Sequence, residues 1–379
     1  MTPVDQRKRF VSDLESGQFG MSELCRAYGI SRKTGYKWVR RWRSEGEEGL
    51  EDRSRRPGRC PHQTEPRCVE ALLEARRERP LWGARKLLVR LAREHPDWPW
   101  PSASTAAALL KRNGLVPPRR RRRRKSVPTR PRVEPQSANE VWTVDFKGQF
   151  LTGDHTMCFP LTVADLWSRY LLGCRARRST KTLEARPVFE ALFREHGLPR
   201  EILSDSGPPF AAPTAPRRLS QLAMWWIKLG IRPVLIELGH PEQNGCHERM
   251  HRTLKAATAR PPAGSLAAQQ KSFDGFRAEY NQERPHEALG MKTPAELYRR
   301  SPRPYPQRVP EIEYPGHFER RVVHNHGEVR WRGRLYYVSE VMRGETLGFE
   351  EVDDGLWSIC YGPMLIGRYD ERADRLRLL

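Results

Sequence analysis

Six consecutive arginines, Arg119, Arg120, Arg121, Arg122, Arg123 and Arg124, follow Pro117-Pro118 and precede Pro128 and Pro131. Guanidinium groups packed this densely repel one another in any compact form, and the prolines oppose a helix. No single core can be threaded through such a stretch, so the chain must be built from parts on either side of it. A Gly-, charge- and Pro-rich stretch near 46–62 and a Pro-rich one near 301–316 divide it further. The expected plan is a helical domain at 1–55, a second at 62–117, a basic linker at 118–135, a middle domain at 136–300, a Pro-rich linker at 301–316 and a small domain at 317–379.

Charge narrows the partners. Lys and Arg number 68 against 46 Asp and Glu, a formal net charge of +22 over 379 residues. An excess of that size calls for a polyanion, and double-stranded DNA is the expected one. No apolar run reaches the ~20 residues of a spanning helix. The first residues lack the charged-then-apolar layout of a signal peptide. A cytoplasmic protein, nucleoid-associated when bound to DNA, is expected. The seven cysteines show no CxxC spacing, which predicts reduced thiols rather than a zinc ribbon.

Residues 22–46 read as two helices hinged at Gly29, with Ser31 at an N-cap position. The second carries Arg32, Lys33, Lys37, Arg40 and Arg41, with Trp38 and Trp42 four apart on one face. A short helix, a Gly-containing turn and a basic helix make a helix-turn-helix pattern. A helical hairpin with a solvated basic face is the blander alternative, and the net charge favours the first. Residues 62–117 repeat the theme with helices over 68–80, 84–94 and 102–116. The last is capped by Ser102 or Ser104 and ended by Asn113-Gly114. This stretch reads as a second helix-turn-helix-like module or a helical spacer.

From 141 the pattern changes to an α/β layout around a mixed sheet. Strands are expected over 141–150, over 157–176 with a break near Trp167-Ser168, near 200–205 and over 231–237. Helices are expected over 181–197, 217–230 and 246–259. Asp145 lies inside an apolar strand, where a carboxylate is unfavourable unless it is paired, hydrogen-bonded or metal-bound. Asp205 lies at the end of the next long strand, with Gly207 in the turn after it. Glu248 lies in the first turn of a helix entered from a loop. Such carboxylates can converge, and hard oxygen ligands of this kind suit Mg²⁺ or Mn²⁺. Glu248, Arg252 and Lys255 share a helix face. His247 and His251 stand one turn apart; with no third zinc ligand evident, they read as surface histidines or DNA contacts. Asp154 and Asp165 read as turn partners. The runs 329–338, 346–351 and 356–362 fit a small β-barrel, either a DNA-binding or assembly element or a structural cap.

Four pieces carry a resemblance: WTVDFKG around Asp145, SDSGPPF around Asp205, HPEQNGCHERMHRTLK around Glu248, and YNQERPHEALGMKTPAELY at 280–298. In this order, behind a helix-turn-helix, the chain resembles insertion-sequence transposases whose core is similar to retroviral integrases. The resemblance implies a ribonuclease-H-like core in which Asp145, Asp205 and Glu248 are the catalytic, Mg²⁺- or Mn²⁺-holding triad. It also places Arg252 and Lys255 at the DNA end. The expected enzyme is a homo-oligomer on DNA that binds the ends of a mobile element, hydrolyses the phosphodiester there and joins the freed 3′-hydroxyl to target DNA. The arginine run would add sequence-independent affinity. A DNA-binding regulator on an inactive core and a nuclease that cuts without joining are the rival readings. Two departures from the family stand out: Ser206 where Asn is usual, and 42 residues between Asp205 and Glu248. The extra length is expected near 211–219, away from the carboxylates.

Overall fold

The structure, a computed structural model, describes residues 2–54, 63–117, 133–237 and 240–379. Arg119 to Arg124 lie outside the described residues, as does Cys60. The chain forms two compact units, Met1–Gln63 and Thr64–Leu379.

The described residues of the first unit form the α-helices α1 (Pro3–Glu15), α2 (Met21–Ala27) and α3 (Arg32–Glu45), followed by a 3-10 turn over Gly46–Leu50. The sequence reading placed α2 and α3 and missed α1, which opens on a Thr2–Asp5 capping box. Gly29 takes a φ of +63° at the hinge, and the Ser31 hydroxyl accepts the Thr34 amide at 3.2 Å to start α3. Gly35 sits where α3 crosses its neighbours. A Cβ there would stand 2.7 Å from Cys25 Sγ and 3.0 Å from the Phe10 ring. Phe10, Val11, Leu24, Cys25, Val39 and Leu50 fill the core, with Trp38 and Trp42 packed half-buried against it.

The second unit begins with α4 (Pro66–Glu78), α5 (Ala84–Glu94) and α6 (Ala103–Arg112), packed around Leu72, Trp82, Leu87, Leu91 and Leu110. Ser102, rather than Ser104, caps α6 by accepting the Thr105 amide at 3.3 Å.

Next come β1 (Val141–Phe146), β2 (Phe150–Leu151), β3 (Met157–Asp165), β4 (Leu171–Arg177), α7 (Thr182–His196), β5 (Glu201–Ser204), α8 (Gln221–Lys228), β6 (Arg232–Leu235), α9 (Gly245–Thr258) and α10 (Leu266–Ala278). Central β1 pairs antiparallel with β3 and parallel with β5, and β5 pairs parallel with β6. Both β2 and β4 pair antiparallel with β3. Trp142, Val144, Leu161, Val163 and Ile202 face α7 and α8. On the opposite face, Cys158 and Cys174 meet Met250 and Leu254 of α9 and Phe273 and Phe276 of α10. Helices on both faces explain why β3 reads as a nearly unbroken apolar run. Helix α8 starts later than its sequence suggests because Arg217 takes a φ of +51° and the Ser220 hydroxyl caps it.

The last part holds β7 (Glu319–Val322), β8 (Glu328–Trp331), β9 (Arg334–Tyr337), β10 (Thr346–Asp353), β11 (Leu356–Tyr361), β12 (Met364–Asp370) and β13 (Arg375–Leu378). The expected barrel is not what forms. The antiparallel sheet runs β13-β12-β11-β10-β7 and stays open, with β8–β9 a separate hairpin. The reason is packing. Trp331 of the hairpin lies flat on Phe349 of β10 at 4.2 Å and fills the sheet's face. The far edge is engaged elsewhere, since the carbonyl of Leu379 accepts the Arg217 amide at 2.6 Å. Segment 211–219, the suspected extra length, therefore serves as the sheet's mooring on the core. Lys228 of α8 adds an ion pair to Glu345 at 2.8 Å.

One buried side chain ties the start of β1 to the segment after α10. Asn139, at a φ of +65°, accepts the Trp142 indole N–H at 2.9 Å and the Tyr298 hydroxyl at 3.0 Å, and donates to the Arg299 carbonyl at 2.7 Å. Asn139→Ala leaves two buried donors unsatisfied, and we expect it to cost about 2–4 kcal/mol. Urea unfolding of the full chain checks this. A loss well under ~1 kcal/mol would mean that water replaces the amide.

Candidate active site

Strand register brings the two aspartates level. The parallel pair aligns Thr143 with Leu203, so two places further along each strand Asp145 stands beside Asp205. Neighbouring strands lie about 4.8 Å apart, and residues two apart share a face. Asp145 therefore projects on the side of Thr143, toward α9. The antiparallel pairing puts Thr162 of β3 opposite Asp145 on the same face.

Helix α9 is seated there by two histidines that the sequence reading placed on the surface. Both are buried, and that expectation is corrected. The His247 ring lies between two hydroxyls, with Nδ1 at 2.7 Å from Thr143 Oγ1 and Nε2 at 2.6 Å from Thr162 Oγ1. His251 Nε2 meets the same Thr162 oxygen at 2.6 Å, and its Nδ1 is 3.5 Å from Asp145 Oδ2. Burial holds both imidazoles neutral, His247 down to about 3 and His251 lower still. With Met250 and Leu254, they form the inward face of α9, and Glu248, Arg249, Arg252 and Lys255 are exposed outside that face.

Asp145 is the perturbed acid. Burial, then the charge of Asp205, and more weakly that of Glu248, push its carboxyl up to about 7; Lys147 opposes them. Burial also raises Asp205, against the Gly207 amide that donates to its Oδ1 at 3.3 Å. Gly207 contributes that amide rather than a left-handed turn, because its φ is not positive. Ser206 donates to the Ile236 carbonyl at 3.2 Å, binding the loop after β5 to the end of β6. Among the described residues, no three His, Cys, Asp or Glu side chains are gathered closely enough to make a finished metal cage. The aspartates crowd each other across two strands while Glu248 acts from the helix opposite.

The competing acids are structural. Asp165 is buried and accepts from the Asn139 amide at 2.8 Å and from the Ser168 amide and hydroxyl at 2.8 and 2.6 Å. Asp154 accepts the Thr152 hydroxyl at 2.5 Å and the Thr156 amide at 3.1 Å within its turn.

In the first unit, Arg32, Lys33, Lys37 and Arg40 are exposed on α3, whereas Arg41 is half-buried. Sequence reasoning missed Tyr36. It is 54% exposed among Lys33, Lys37 and Arg40. Its place between basic residues one turn apart was the available signal. Among the described residues no helix is long and apolar enough to cross a membrane, and the described cysteines are all unpaired.

Residues 229–294 match the integrase core domain family, 6–58 a helix-turn-helix domain family and 34–110 a homeodomain-like domain family. Over 165 residues the chain is 28% identical to an uncharacterized 31.7 kDa protein of insertion element IS407 from Burkholderia multivorans, covering 43% of this chain and 56% of that one. Over 161 residues it is 26% identical to an uncharacterized 39.2 kDa protein of insertion element IS476 from Xanthomonas euvesicatoria, covering 42% and 44%. The chain thus spans about half the length of these relatives. Among solved structures, the catalytic core domain of HTLV-2 integrase in complex with magnesium aligns at 15% identity with a TM-score of 0.35, covering 44% of this chain and 100% of that one.

The raised carboxyl of Asp145 has a consequence for stability. Its folded pKa lies above the ordinary 3.8, so its contribution is present below that value and is lost as pH rises through about 7. The two histidines, depressed below their ordinary 6.5, weaken the fold as pH falls. In chelator, Asp145→Asn should therefore be more stable than wild type at pH 8 by on the order of 2–4 kcal/mol. The gap should shrink as pH falls toward about 4. Denaturation curves at several pH values check this, and a gap that does not change with pH would show that Asp145 is not crowded.

Proposed function

We propose that this chain, which belongs to the insertion-sequence transposases with an integrase-like core, binds the ends of a mobile DNA element and cleaves and joins DNA there. The observation that carries the reading is the level placement of Asp145 and Asp205 on adjacent parallel strands, under a helix that brings Glu248 to the same field. Like charges held this close in a half-buried site call for a cation. The donors are carboxylate oxygens, which fit Mg²⁺ or Mn²⁺ better than a softer metal.

Asp145, Asp205 and Glu248 are the residues proposed to hold the ions. When bound, such ions supply activation of an attacking oxygen and stabilisation of a leaving one. The protein's own part is positional. The two strands fix the aspartates, and the buried histidines fix the helix that presents Glu248. Arg252 and Lys255, exposed on successive turns of that helix, lie where they can hold the phosphates of a DNA end. Lys33, Tyr36, Lys37 and Arg40 form the exposed face of a helix suited to a major groove. The arginine run Arg119–Arg124 and assembly of several copies on DNA belong to the same proposal.

Asp145→Asn, Asp205→Asn and Glu248→Gln should each reduce cleavage and strand transfer by on the order of 10²–10³ or more, as does removal of one strong electrostatic contact, while leaving end binding intact. Chelator should stop both reactions in wild type. Strand-transfer assays with pre-cut ends report joining separately from cutting. Near-normal joining by any one variant would remove that residue from the site, and cutting without joining would make the protein a nuclease. Separately, Lys33→Ala with Lys37→Ala should lower the preference for element ends over scrambled duplex by about tenfold. Competition binding measures this, and an unchanged preference would move end reading away from α3.

A further inference from the structure

Beside the helix that carries Glu248 lies a cleft of about 390 Å³, walled by α5, α9, Arg169 and the segment Tyr280–Ala288. That segment belongs to the YNQERPHEALG motif, for which the three carboxylates give no role. Cations dominate the wall: Lys86 from α5, Arg169 from the turn before β4, Arg249 and Arg252 from α9, and Arg284 from the motif, with His286 beside it. Two of the nearby acids are engaged, and the third, Glu287, is the one carboxylate among the described residues lining the wall. Glu279 accepts the Trp82 indole N–H at 2.8 Å, Glu283 pairs with Arg79 at 2.6 Å, and Glu287 reaches Lys86 only through its field.

The polar atoms here are short of partners. Arg284 is only 9% exposed, and its guanidinium rests 5.9 Å from the Trp82 ring centroid. Arg169 Nη1 is buried without a hydrogen-bond partner, whereas neutral His286, with one ring nitrogen bonded to the Tyr280 backbone, turns an unpaired acceptor at Nε2 into the wall. Among the described residues, Lys86, Arg169 and Arg284 form no ion pair. Burial and then Arg284 push Lys86 down to about 8 against the pull of Glu287, and burial, Lys86 and Arg284 push His286 down to about 3. Buried polar groups of a folded protein are normally paired, and a concave group of cations without ion-pair partners is the form an anion site takes.

We infer that this cleft holds a backbone phosphate of the DNA substrate, so that α5, α9 and the YNQERPHEALG motif together clamp one strand beside the carboxylates. The inference rests on the DNA-processing reading above. The occupant follows from position. Arg249 is next in sequence to Glu248, and Arg252 lies one turn on, sharing its side of α9 with Glu248 and Lys255. A strand leaving the carboxylates along that row of cations therefore passes the mouth of the cleft. Arginines in a rigid, partly buried setting suit phosphate oxygens better than a mobile surface lysine does. Here the Trp82 ring lies beside the Arg284 guanidinium, and Arg169 has an Nη1 buried in the wall.

The test uses the full chain, chelator and a 40-bp duplex unrelated to any element, with binding measured across salt concentrations. Lys86→Gln and Arg169→Gln should each flatten the log–log salt slope by about one unit, and the double variant by about two. Each variant should also melt at a higher temperature than wild type without DNA, because an uncompensated cation has been removed. Wild-type binding with unchanged slopes in the variants would overturn the cleft and leave the DNA reading standing. Weaker binding together with a lower melting temperature would mark Lys86 and Arg169 as structural and overturn it too. A wild type that fails to bind duplex even at low salt would bring down both readings.

Discussion

A single threonine hydroxyl holds the proposed site together. Thr162 Oγ1 stands within hydrogen-bond distance of His247 Nε2, His251 Nε2 and the Asp145 carbonyl. It has one proton to give and two lone pairs. If the proton goes to the carbonyl, both imidazoles donate from Nε2, and His251 Nδ1 turns a lone pair toward Asp145. That arrangement suits a protonated carboxyl. If the proton goes to His251 Nε2, the ring presents an Nδ1–H to Asp145, which suits a carboxylate. The hydroxyl can thus follow the charge of Asp145 without any movement of the helix. Both arrangements keep α9 on the sheet, and with it the position of Glu248 and the cations one turn further on.

The same economy recurs at the margins of the core. Asn139 satisfies the Trp142 indole and joins β1 to Tyr298 and Arg299, while Asp165 fixes Asn139 through its amide. Arg303 continues the tie by donating to the carbonyls of Pro199, Leu229 and Gly230. The Pro-rich segment expected to be a linker is therefore bound to the core at its start. Segment 211–219 and Lys228 then hold the open C-terminal sheet. These contacts explain how a stretch of chain with almost no regular structure is fixed without a core of its own.

What could be read from the sequence depended on local signals. Strong signals placed β1, β3, α3 and α5: an apolar run for each strand, Ser31 and Gly29 around the start of α3, and helical periodicity in α5. Asp145 and Asp205 stood out because acids inside or at the end of apolar strands are costly, and Glu248 because it opens a helix entered from a loop. The histidines were misread because polarity alone suggested the surface. Nothing local to α9 announces that Thr143 and Thr162, far away in sequence, will receive them. Helix α1 went unseen because it is mostly polar, and α10 because Gly, Gln and Asp interrupt its apolar face. The open sheet went unread because closure depends on what fills its face, and that is Trp331 packing on Phe349. The basic cleft was likewise illegible, since its cations come from four separate stretches of chain.

The charge pattern gives these pieces one logic. A chain of net charge +22 gathers acids only where their mutual repulsion is opposed by something else. On α9 the two signs are sorted along one exposed side, Glu248 first and then Arg249, Arg252 and Lys255. A carboxylate in the first turn is favoured by the helix dipole, and cations further along are favoured by the same field. The arrangement that suits the isolated helix is thus also the one that suits a substrate with a phosphate near the carboxylates and more phosphates trailing away. Reversing the order would set the cations against the dipole and bring a like charge to the DNA. The two buried histidines hold that row of charges in a fixed position over the sheet.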